Sequence, residues 1–261
     1  MLCLILRLYR KTNQMKRLFV VTLVLLILAC KEKPKTNLTV QEIVDKSITD
    51  SGGKHYNNHN TSFFFRNRQY ISESANGEKV LKRISFLDSI TITDVKTSRD
   101  FKRYVNDSLV SLPDSIANRY SNSVNSVHYF ARLPFGLNDE AVKKELLGEE
   151  IIKGEGHYKV KVTFEQNGGG DDFDDVYVYW FNKKTFKPNY LAYDFHVNGG
   201  GQRFREAYNE RYVNGIRFVD YNNFKSKSKG NSILDFGQLF EKVELELLSK
   251  IEIADLEVTG H

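Results

Sequence analysis

Cysteine is almost absent from this chain. The 261 residues hold two, Cys3 and Cys30, so everything beyond residue 30 lacks the means for a disulfide or a thiolate metal site. A surplus of charge is missing as well. The 38 Lys and Arg against 33 Asp and Glu give a formal +5, but Arg7, Arg10, Lys11, Lys16 and Arg17 stand ahead of residue 30 with no acid among them and account for all of it. The remainder is neutral, without the basic excess that a nucleic-acid partner would want. No apolar run is long enough to cross about 30 Å of hydrocarbon as a helix. Internal repeats are lacking, as is a second low-complexity linker. There is also no G-x-S-x-G elbow and no H-E-x-x-H pair, which leaves no ready-made hydrolase or zinc-peptidase signature. What remains is one β-rich domain over residues 39–261, with no cofactor or metal expected.

The N-terminus carries its own message. Met15 to Cys30 reads MKRLFVVTLVLLILAC: a basic pair, Lys16-Arg17, then an uncharged apolar run that suits the h-region of a secretion signal. It ends Leu26-Ile27-Leu28-Ala29-Cys30, which resembles the bacterial lipobox, where the cysteine after a small residue becomes diacylated. Leu28 is bulkier than the residue usual before that alanine. The reading is therefore a signal over residues 1–29, with Met15 a candidate true start. A lipid-anchored tether over residues 30–38 follows, and the membrane becomes a partner through Cys30. An uncleaved anchor with an incidental cysteine is the alternative.

Thr39-Val40-Gln41-Glu42 fits a capping box, with Val40, Ile43, Val44 and Ile48 on one helical face and Gly52-Gly53 as its stop. Strands are expected at Ser62–Ser72 and Glu78–Asp88 around an Asn76-Gly77 turn, then at Ile90–Lys96 and Asp100–Asn106. Pro113 opens a central helix through Ile116, Tyr120, Val124 and Val127, and Asn138 to Gly148 reads as a second, shorter one through Val142, Leu146 and Leu147. His157–Gln166 alternates, one face dry and one wet. Asp175–Asn182 is apolar on both faces and must be covered on both. Pro188–Val197, Gln202–Val213, Ile216–Phe224 and a closing strand in Val243–Val258 complete the pattern. The expected class is α+β, mainly antiparallel β: a curved open sheet, a half-barrel of about nine or ten strands wrapped on N-terminal and central helices.

The stretches VNSVHYFARLPFGLND (124–139), DDVYVYWFNKKT (174–185), NYLAYDF (189–195) and GGGQRFREAYNERYVNGIRFVDYNNF (199–224) resemble a family of Bacteroidota lipoproteins of unknown function. The order of elements is similar to that of outer-membrane lipoprotein carriers of the LolA/LolB type, whose half-barrel holds acyl chains. The resemblance implies a non-enzymatic envelope lipoprotein that binds a lipid, an acylated protein or another hydrophobic ligand. In Bacteroidota lipoproteins acidic residues after the cysteine accompany surface export. Lys31-Glu32-Lys33 offers a single acid, so the expected placement is the outer membrane, facing the periplasm. An envelope hydrolase using His128 with Asp194 or Asp220, or a purely structural protein, are the other readings.

Candidate ligand-binding residues follow from the 18 Phe and 14 Tyr and from a cluster of arginines. His128, Tyr129, Phe130 and Phe135 lie at the end of the central helix and in the apolar connection after it. Tyr177, Tyr179 and Phe181 share one face of the doubly apolar strand. Arg203 and Arg205 alternate onto a common face, with Arg211 expected beside them. They either hold an anionic headgroup bidentately or pair with Glu206, Glu210 and Asp220. His55 and His59 have the spacing of a helical metal pair but a loop composition. The acidic run Asp171–Asp175 lacks the calcium-loop register. The triple glycine Gly199–Gly201 opens a strand, unlike a phosphate loop.

Overall fold

A computed structural model describes residues 38–75, 77–166, 173–196 and 199–260. The signal, Cys30, most of the tether, Asn76 and Asp171–Asp172 lie outside the described residues. Among the described residues, fourteen strands form two seven-stranded sheets in which every neighbouring pair is antiparallel. The class is mainly antiparallel β, as expected. The strands are more numerous than nine or ten and are divided between two sheets.

The first helix, α1 (Val40–Asp50), forms where its cap dictates. The Glu42 amide donates to Thr39 Oγ1 at 3.2 Å and the Thr39 amide donates back to Glu42 Oε2 at 2.8 Å, satisfying two otherwise orphaned donors. Ile43 and Val44 are its fully buried face. It ends on Gly52, whose φ is +121° and where a Cβ would stand 2.7 Å from the Gly215 carbonyl oxygen, so only glycine fits. A one-turn helix, α2 (His55–Asn58), leads into the first sheet.

That sheet runs β1 (His59–Phe65), β2 (Arg68–Ala75), β3 (Glu78–Leu87), β4 (Ile90–Lys96), β5 (Phe101–Val105) and β6 (Ser108–Val110), a meander of hairpins. The central helix α3 (Asp114–Ala131) packs on β3, β4 and β5. Its seat is polar: Arg83, Asp94 and Arg103 face one another across β3, β4 and β5 in register. Arg83 also donates to Ser123 Oγ on α3 at 2.8 Å, and the Arg103 guanidinium lies 3.4 Å from the Tyr120 ring centroid.

The second sheet is β7 (Val142–Ile152), β8 (Glu155–Phe164), β9 (Val176–Asn182), β10 (Pro188–Phe195), β11 (Gly201–Val213), β12 (Ile216–Ser226) and β13 (Leu245–Ile251). The expected short helix over 138–148 is therefore a correction. A brief 3-10 turn, Phe135–Asn138, precedes β7, which is an edge strand. Leu146 and Leu147 are both 37% exposed beside a bulge at Gly148, so on this edge the apolar spacing does not report burial.

Strand β9 is covered on both faces, as its composition requires. Val178 and Trp180 pack with Ala192, Phe204 and Leu245 under a segment the sequence did not announce, a 3-10 turn (Ile233–Asp235) running into α4 (Phe236–Glu241). Tyr177, Tyr179 and Phe181 occupy the other face. The single closing strand expected in Val243–Val258 is in fact two: β13 ends the second sheet and β14 (Ile253–Gly260) joins β1 in the first. Among the described residues, no helix is long and apolar enough to cross a membrane.

Candidate functional site: an aromatic cavity with two arginines

The C-terminal turns of α3 meet the face of the second sheet around a cavity of about 530 Å³. Val127, Phe130 and Ala131 approach from α3, Tyr177 from β9, Tyr193 and Phe195 from β10, and Val219 and Tyr221 from β12. Phe65 and Arg66 at the β1–β2 turn and Ile251 and Ile253 at the β13–β14 junction border it too. The volume falls within the roughly 300–1,000 Å³ typical of small-ligand sites. A larger hollow of about 770 Å³ lies over the β4–β5 turn and the start of α3, but charged residues such as Arg99, Asp100 and Lys102 edge it. The aromatic cavity has the chemistry of a hydrophobic site and the larger hollow does not.

Strand register builds the aromatic wall. Tyr193 sits opposite Tyr177 on β9 and opposite Arg203 on β11. The Tyr177 and Tyr193 rings stack with centroids 5.4 Å apart, and Phe130 lies 5.5 Å from Tyr193. Such pairs contribute about 0.5–1.5 kcal/mol each beyond the area they bury. Burial pushes the Tyr177 hydroxyl well up from its ordinary value, so it stays protonated.

Four of the nine expected ligand-binding residues border this cavity: Phe130, Tyr177, Arg203 and Arg205. The others lie elsewhere. His128 is 1% exposed in the seat of α3, its Nε2–H donating to the Lys82 carbonyl at 3.1 Å, with Phe63 and Tyr70 edge-on to the ring. Burial holds its pKa down at about 4, so the ring is neutral at pH 7. Among the described residues, no nucleophile or orienting carboxylate bonds it, which gives no support to the hydrolase reading. Tyr129 shares a hydroxyl contact of 3.3 Å with Tyr179, and burial raises the Tyr129 pKa to about 12. Phe181 is fully buried beside Tyr179, and Phe135 stacks on Tyr56 with centroids 4.6 Å apart.

The arginines divide. A bulge in β11 between Tyr208 and Arg211 reverses the alternation, so Arg211 pairs with Phe218 of β12 and leaves the face it was expected to share. Arg211 bonds Asp220 at 3.1 Å, and Arg217 bonds Glu210 at 2.6 Å. Arg203 and Arg205 have no such carboxylate among the described residues. Arg205 is 8% exposed, donates to the Tyr193 hydroxyl at 2.7 Å and lies 3.8 Å from the Phe130 centroid. Its Nε is buried without an acceptor.

His55 and His59 do not form a helical pair: α2 ends at Asn58, and the His59 Nδ1 bonds the His55 carbonyl at 2.9 Å. Asp174, Asp175 and His196 bring three ligand-type atoms within 4.8 Å of one another. His196 Nδ1 is 3.3 Å from Asp175, a contact that raises the histidine's pKa. Gly199–Gly201 all have positive φ and lead into β11 rather than a helix. Sequence reasoning missed Tyr193, Phe195, Val219 and Tyr221 as cavity residues. The signal for Tyr193 and Tyr221 was the register that sets the first opposite Tyr177 and the second opposite Ala207 on the arginine strand.

Residues 16–253 match the model of a family of unknown function, DUF6503. No curated protein sequence matches. Among solved structures, the chain is similar to a LolA superfamily protein from Nitrosomonas europaea, at 13% identity and TM-score 0.47, covering 85% of this chain and 92% of that one. It is also similar to a domain named for outer-membrane lipoprotein sorting from Vibrio parahaemolyticus, at 10% identity and TM-score 0.43, covering 84% and 91%. A DUF1329 family protein from Desulfovibrio piger is similar at 12% identity and TM-score 0.42, covering 84% and 92%.

Proposed function

The chain belongs to the DUF6503 family, and we propose that its domain holds a lipid or other hydrophobic ligand, free or as an acylated protein, in the aromatic cavity beside α3. The observation that supports this reading is the cavity itself, about 530 Å³ bordered by aromatic and aliphatic side chains from α3 and both sheets. Filling it should weaken binding. Val127 borders the cavity and is half-buried, and Val127→Trp is expected to weaken a fluorescent apolar probe about tenfold or more, a change of about 1.4 kcal/mol. Equal affinity in the variant and the unaltered protein would count against the cavity as the site.

The proposal extends to the N-terminus. Cys30 would carry the lipid that tethers the domain to the outer membrane on its periplasmic side, as in the Bacteroidota lipoproteins its sequence resembles. With no other cysteine beyond Cys3, Cys30→Ser should remove all palmitate labelling and move the protein out of the membrane fraction. Labelling that persists in the variant would end the anchor reading.

A further inference from the structure

The aromatic cavity contains a cation, Arg205, that bonds no carboxylate among the described residues. Arg205 projects from β11 into a wall of rings: Phe130 at 3.8 Å, Tyr193 at 5.0 Å and Tyr221 at 5.8 Å from its guanidinium carbon. A guanidinium has five N–H donors. One of them meets the Tyr193 hydroxyl, while Nε is buried and unbonded. Arg203, on the same strand face, spends a donor on the Gln202 carbonyl at 2.8 Å and also borders the cavity. The carboxylate among the described cavity residues, Asp175, contacts His196 at 3.3 Å. The other buried arginine of this sheet among the described residues is handled differently: Arg217, 2% exposed, bonds Glu210 at 2.6 Å, although its own Nη1 is also buried without an acceptor. A buried charge is ordinarily paired because leaving it unpaired is costly. At Arg205 rings stand where a carboxylate would be expected, and ring faces attract a cation without consuming its N–H donors.

We propose that the ligand is an anionic amphiphile, its carboxylate or phosphate head bound by Arg205 with Arg203 beside it and its tail running along the aromatic wall. This rests on the hydrophobic-ligand reading and adds the charge of the head. Both head types suit a guanidinium, which bonds planar or tetrahedral oxyanions through two parallel N–H groups.

The test is competition of hexadecanoate, hexadecanol and a single-chain lysophosphatidate against one fluorescent apolar probe on the purified protein at pH 8. The acid or the phosphate should displace the probe about tenfold more strongly than the alcohol, and the stronger of the two identifies the head. Arg205→Met, which keeps an apolar stem of similar reach, should erase the preference and leave the alcohol within about twofold of its original affinity. Equal binding of acid, phosphate and alcohol by the unaltered protein would overturn the head-group assignment while leaving a hydrophobic site standing. A preference that survives Arg205→Met would overturn it too. Binding of none of the three would defeat the hydrophobic-ligand reading itself. The unaltered-protein comparison decides the matter even where the variant does not fold.

Discussion

Replacing Asp94 with alanine is expected to cost about 3–5 kcal/mol of unfolding free energy, the usual penalty for removing one partner of a buried ion pair. Asp94 lies on β4 between Arg83 of β3 and Arg103 of β5. Its Oδ2 accepts from Arg83 Nη2 at 2.6 Å and its Oδ1 from Arg103 Nε at 2.7 Å, with the Asp94 side chain 1% exposed. Without the carboxylate, two guanidiniums remain in the seat of α3 with no counter-charge. The loss reaches the helix directly, because the same arginines touch Ser123 and Tyr120. For a domain of this size the midpoint should fall on the order of 10 °C, read from thermal or urea unfolding. Converting all three positions to apolar residues of similar volume should be much milder, since desolvating the charges offsets most of what their pairing contributes. A single Asp94→Ala within 1 kcal/mol of the unaltered protein would show that this network does not hold α3 in place.

Acid should destabilise the same helix seat through His128. Its folded pKa is about 4, with burial as the main cause and the charges of Arg132 and Lys79 adding to it, against an ordinary 6.5. Between those values the unfolded chain binds more protons than the folded one, so stability rises with pH across the window. The contribution is complete above about pH 6.5 and lost as pH falls through 4. At 1.36 kcal/mol per unit it amounts to about 3 kcal/mol. His157 is also held down by burial and acts in the same direction, whereas the raised His196 acts oppositely. The His128 share is isolated by comparing urea unfolding at pH 7 and pH 4 for the unaltered protein and His128→Phe. The variant should lose the His128 share, about 3 kcal/mol, while the lowered Glu42, Glu78 and Glu210 keep their own contributions, and an undiminished slope would place the acid sensitivity elsewhere.

These two clusters show what a sequence reading can reach. The sequence put His128 at the end of the central helix, beside the apolar connection, but nothing local said that its partner would be the Lys82 carbonyl 46 residues away. Period-two alternation found most of the strands because half-buried strands must alternate. It failed at β7, where an exposed edge relaxes the rule, and in Val243–Val258, where one continuous pattern passes from one sheet to the other at Glu252. The doubly apolar β9 announced two covers, and α4 turned out to be one of them. At the candidate site, Arg203, Arg205, Phe130 and Tyr177 were singled out because charge and aromaticity are properties of single residues. Tyr193 and Tyr221 were missed because their relevance exists only across strands. Arg211 was misplaced by a one-residue bulge that no alternation count can anticipate.

The space between α3 and the second sheet is proposed to hold a hydrophobic ligand. This is tested most directly by equilibrium titration of the purified, delipidated protein with a fluorescent acyl probe below the probe's micelle concentration. Saturable binding at one site per chain is expected. Fluorescence that rises without saturation, or does not change, would contradict it.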